Sequence, residues 1–117
     1  MRHVIRRETE AAFKQVDLLL TPTMIIEPPR WGTSAFVING EDIDPLDAFI
    51  RCLIPANLGG YPAISVPAGY AESGLPVGMQ FIGRHFAEAQ LIAAAKAIEE
   101  ATAAWKRKPN PGRWSAQ

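Results

Sequence analysis

Two alternating runs constrain this chain more than any other feature: AISVP at residues 63–67 and VGMQFI at 77–82. In extended backbone, successive side chains point to opposite faces. Ile64 and Val66 therefore share one side, with Ala63 and Ser65 on the other. In the second run Val77, Met79 and Phe81 face one way, and Gly78, Gln80 and Ile82 the other. The stretch AESGLP between them, with Gly74 and Pro76, is short enough to predict an antiparallel hairpin. Upstream, Gly59 and Gly60 in NLGGYP supply the backbone freedom for a turn into the first strand.

The elements around the hairpin read as helices and one further strand. Residues 2–15 carry a loose helical stripe of Ile5, Ala12 and Phe13, continued at Val16. VDLLLTPT, at 16–23, does not alternate, which predicts a short strand covered on both faces. A long connection over 23–44 follows, with Pro28-Pro29, Trp31 and NGEDID. It is either a solvated surface loop or a loop that shapes a binding site. Asp44 then makes a good N-cap, Pro45 suits the first helical position, and Leu46, Phe49, Ile50, Leu53 and Ile54 form one apolar face. Pro55 and Gly59-Gly60 are expected to end or kink that helix. Residues 87–105 are expected to form a last, alanine-rich helix, with Leu91, Ala95, Ile98 and Trp105 on one face, the first three packing on a sheet. Residues 106–117 are a polar tail whose Lys106-Arg107-Lys108 run complements the helix dipole. With 117 residues, the chain 1–117 is expected to be a single α/β unit.

Several functional classes are disfavoured. Basic and acidic residues number 12 each, so the strongly basic face typical of nucleic-acid binding is not expected. No apolar run approaches the roughly 18 residues of a membrane span, and the first residues do not read as a signal peptide. The single Cys52 cannot close an intramolecular disulfide, so a cytoplasmic setting is expected. His3 and His85 have no partners at metal-ligand spacing, Glu41, Asp42, Asp44 and Asp47 lack the pattern of a calcium loop, and no dinucleotide fingerprint is present. No metal and no cofactor is expected.

The serine and the amides remain. A nucleophilic serine sits on a sharp turn between glycines, whereas Ser65 stands between Ile64 and Val66 inside a strand. It reads as a small residue on a tightly packed face. Gln80, an amide among apolar neighbours, is either a structural amide paired with backbone or an amide lining a ligand pocket. Asn57 is either a helix C-cap or a pocket residue. Trp31 and Phe36, in the long connection, complete the set of pocket candidates.

The order of these pieces resembles the C-terminal part of the amidase signature family. VDLLLTPT, an apolar helix, NLGGYPAISVPAG, GLPVGMQFIG and HFAEAQLIAAAKAIEEA follow one another over roughly residues 13–110. The resemblance implies a fragment of the amidase signature fold, a mixed β-sheet with helices packed on its faces. It also implies a hydrolase of C–N bonds working through a Ser–cis-Ser–Lys triad, in which lysine acts as base through a bridging serine. The Gly/Ser-rich stretch bearing the family's nucleophile has no match here, and none of Lys14, Lys96, Lys106 and Lys108 matches a catalytic motif. No catalytic residue is therefore assigned. The expected partners are the missing N-terminal amidase portion or a second copy of this chain, and, in the full enzyme, a small-molecule amide. Neither nucleic acid nor membrane is expected as a partner. The alternatives are a stand-alone, non-catalytic interaction module or the remnant of a truncated amidase.

Overall fold

A computed structural model describes residues 1–108. The polar tail beyond Lys108 lies outside the described residues. In chain order the elements are α1 (Arg2–Phe13), β1 (Leu18–Pro22), β2 (Phe36–Ile38), β3 (Glu41–Ile43), α2 (Pro45–Ile50), α3 (Ile54–Gly59), β4 (Ala63–Tyr70), β5 (Pro76–Gly83) and α4 (Glu88–Thr102), followed by a 3₁₀ turn at Ala104–Lys106.

The centre is a three-stranded sheet in the order β1-β5-β4, antiparallel throughout. The hairpin forms as expected, with Ser65 opposite Gln80 and Ile64 opposite Phe81. Its alternation divides the core in two. On one face Val66 and Phe81 pack with Leu91 and Ala95 of α4, and Ile98, Ile64 and Met79 close around them. On the other, Ile82 joins Phe13 of α1, Ala56 of α3 and Tyr61. Gly83 lets α4 approach, since a Cβ there would lie 3.2 Å from Leu91. Arg84 clamps the end of α1: its guanidinium donates to the carbonyls of Phe13 and Val16 and lies over the Phe13 ring.

Four expectations need correction. β1 is covered on both faces only at its start, where Leu18 packs against one core cluster and Leu19 against the other. It pairs only with β5 among the described residues, and Leu20 is exposed. The long connection is not wholly a loop, because Asn39 and Gly40, at φ of 53° and 83°, make a tight turn between β2 and β3. Both central residues with positive φ match the hairpin turn that an Asn-Gly pair favours. The predicted single helix is two. Pro55 has no N–H and its ring would collide with the carbonyl four residues back, so α2 stops at Ile50 and Pro55 sits in the first turn of α3. Asp44 caps α2 as expected, accepting from the N–H groups of Leu46 and Asp47. Finally, Trp105 lies beyond α4 and is exposed. Ala103 adopts φ 49°, ψ 21°, which ends α4 and turns the chain off the Leu91–Ala95–Ile98 stripe.

Candidate functional site

The register of the sheet sets out the polar chemistry. Thr21 of β1 and Ser65 of β4 both lie opposite Gln80 of β5, so three polar side chains form one row across the sheet. Gln80 is buried, and its amide nitrogen donates to Thr21 Oγ1 at 2.9 Å and to the Cys52 carbonyl at 2.6 Å. That carbonyl belongs to the break between α2 and α3, so Gln80 satisfies an acceptor outside both helices. Replacing Gln80 with Leu removes both bonds and strands a carbonyl. The expected cost is about 1–2 kcal/mol, read as a lower urea midpoint at unchanged slope. An unchanged midpoint would mean that water replaces the amide.

One step along the strands lies a pair of hydroxyls. Thr23, just beyond β1, donates its N–H to the Gly78 carbonyl at 3.0 Å, which brings its Oγ1 within 2.7 Å of Ser65 Oγ. Gly78 makes room, because a Cβ there would sit 3.1 Å from Thr23 Oγ1. The pair lies in an open hollow of about 850 Å³ whose walls include Ile25, Pro67, Val77 and Met79. Glu27, also on its wall, accepts from the Ser73 hydroxyl of the β4–β5 turn.

Ser65 is exposed, which corrects the expectation of a tightly packed face. Among the described residues its hydroxyl meets another hydroxyl, not a histidine, lysine or carboxylate. A hydroxyl without a neighbouring base can hydrogen-bond a ligand but is not activated to attack one. Lys96 points instead toward Glu100, at 3.7 Å, and Lys106 lies over the Trp105 ring. Among the described residues no three His, Cys, Asp or Glu side chains converge as a metal site, and no helix is long and apolar enough to cross a membrane.

A smaller hollow, about 480 Å³, lies between α3 and the start of α4, lined by Asn57, Tyr61, His85, Phe86 and Glu88. Tyr61 stacks on His85 at 4.6 Å, and His85 Nε2 lies 3.3 Å from the Arg6 guanidinium. The Tyr61 hydroxyl donates to Glu10 Oε1 at 2.8 Å. Burial first, and that Glu10 contact second, push the phenol above its ordinary value of 10. The unfolded chain therefore gives up this proton before the folded one does. Stability is fully present below pH 10 and falls as pH rises through the folded-state value. Tyr61→Phe should flatten that alkaline loss in a pH series of thermal melts, and an unchanged slope would refute the assignment.

The sequence-predicted residues are dispersed. Trp31 is fully exposed in the segment before β2. Phe36 packs edge-on against Phe49, ring centres 6.1 Å apart. Asn57 lies inside α3, one wall of the smaller hollow, while Gly60 with φ 74° makes the C-cap. Gln80 is the buried centre of the Thr21–Gln80–Ser65 row. No local signal marks the Thr23–Ser65 pair, because only the pairing of β1, β5 and β4 brings those hydroxyls together.

The Amidase family model matches residues 1–92. The A subunit of glutamyl-tRNA(Gln) amidotransferase from Moorella thermoacetica is 45% identical over 114 residues, which are 96% of this chain and 22% of that protein. Fatty acid amide hydrolase of Medicago truncatula is 44% identical over 97 residues, 83% of this chain and 16% of the relative. A crystal structure of an amidase superimposes with a TM-score of 0.79 at 29% identity, over 86% of this chain and 23% of that one. The corresponding amidotransferase polypeptide of Thermotoga maritima does so at 0.62 and 44% identity, over 85% and 20%. The chain thus spans about a fifth of the length of the curated relatives it matches.

Proposed function

Because the chain belongs to the Amidase family, matched over residues 1–92, we propose that it is the C-terminal part of a hydrolase of C–N bonds. In this reading it supplies scaffold and one wall of the pocket for a small-molecule amide. The observation that carries it is the environment of Ser65, whose hydroxyl is bonded to the Thr23 hydroxyl, with no base beside it among the described residues. The reacting serines and lysine belong to the portion of the fold that this chain does not span. Trp31 and Asn57, both exposed, are the pocket residues able to reach a ligand, while Phe36, packed on Phe49, and the buried Gln80 have structural roles.

The chain by itself is then expected to hydrolyse neither aryl nor aliphatic amides. Losing the nucleophile and its base leaves only the modest residue of catalysis that binding supplies. Turnover that copurifies with the chain and disappears with Ser65→Ala would overturn this.

The natural partner is the N-terminal amidase portion. Without it, the unpaired outer edge of β1 is a template for another strand, so the isolated chain self-associates. Light scattering after size exclusion reads this directly. A folded monomer that persists at high concentration favours the stand-alone module instead.

A further inference from the structure

The segment from Trp31 to Ile50 is poorly explained by the rest of the chain. Among the described residues β2 and β3 form a sheet only with each other, and neither they nor α2 pack broadly on the other elements. Phe36 and Phe49 close the hairpin onto α2 from inside. Outward, Leu46 is 65% and Ile50 38% exposed, one turn apart on α2, and Val37 is 70% exposed on the opposite side of β2 from Phe36. The radius of gyration is 16.4 Å, against about 13 Å for a compact domain of this length. These side chains leave the poorly packed arm with apolar surface that no other described element covers.

We propose that this arm is the docking surface for the N-terminal portion of the same amidase fold, with Val37 and Leu46 as its buried contacts. The inference rests on the reading above and adds to it which surface the partner covers. Two observations choose this occupant over a second copy. About four-fifths of each curated relative's length lies outside the region this chain matches. The open β1 edge already offers a second copy a place to pair, with no role for the arm.

The test is a chimera in which this whole chain replaces the matching fifth of the Moorella thermoacetica relative. Val37→Asp and Leu46→Asp are placed in the chimera and, separately, in the chain alone. Buried in the chimera, each carboxylate lacks a partner, so the melting temperature should fall by at least about 5 °C. In the chain alone the same residues are exposed, and the far-UV spectrum and melting temperature should not change. Variants that melt with the parent chimera would overturn the arm as docking surface while leaving the family reading intact. Variants that lower the self-association of the chain alone but leave the chimera unchanged would assign the arm to a second copy and overturn the proposal. A parent chimera that does not fold would remove the reading itself, and the docking surface with it.

Discussion

Phe13→Ala is expected to take away a large part of the chain's stability. Phe13 is 1% exposed and is the hub of one of the two cores. Tyr61 meets its ring edge-on at 5.5 Å, Ile82 and Ala56 pack around it, and the Arg84 guanidinium lies 5.9 Å from the ring centre. Truncating a buried phenylalanine costs about 3–5 kcal/mol, the lost transfer energy plus the cavity left behind. A domain of this size holds roughly 5–15 kcal/mol in total. Loss of the ring also removes the surface over which the Arg84 guanidinium lies while it holds the end of α1. The melting temperature should drop by more than about 12 °C in a circular dichroism scan. A drop of only a degree or two would mean that α1 does not dock on the sheet in solution.

Gly59→Val should come close to that effect, against the direction that helix propensity alone suggests. Gly59 lies in the last turn of α3, where glycine costs about 1 kcal/mol relative to alanine. A larger residue would ordinarily help there. The tertiary structure reverses the sign. A Cβ on Gly59 would collide with the Tyr61 ring, coming within 2.5 Å of its Cδ2. The ring has nowhere to go: Phe13 meets it edge-on, His85 stacks on it, and Glu10 holds its hydroxyl. Overpacking of this kind costs about 3 kcal/mol, more than propensity returns. Chemical denaturation of Gly59→Val, alone and combined with Tyr61→Ala, measures it. In the Tyr61→Ala background the valine should cost little, and an equal cost in both backgrounds would place the strain elsewhere.

The two hairpin strands, α1 and α4 are legible because their residues bury against a sheet. Period-2 and period-3.6 patterns record that burial directly, as Ile64, Val66 and Phe81 do on one side and Leu91 and Ala95 on the other. The Asp44 cap is legible because its bonds reach only two and three residues along the chain. The resemblance to the amidase signature family rests on the same segments, and the family model covers most of them. The split of the central helix is only half visible: Pro55 announces an interruption, but its position depends on where the chain resumes. Trp105 escapes the pattern because helical periodicity cannot see a residue such as Ala103 turn left-handed. The candidate site is the least legible part. Thr23 and Ser65 stand 42 positions apart, as do no two residues of a local motif, and they meet only because β1 and β4 flank β5 in one register. Likewise Gln80 is recognisable as an amide in need of partners, but its acceptors, Thr21 and the Cys52 carbonyl, come from a neighbouring strand and from a helix break. Local sequence determined what is written in backbone periodicity and short-range hydrogen bonds. Tertiary structure alone decided which distant polar groups share a face, because strand pairing, and not spacing along the chain, sets those distances.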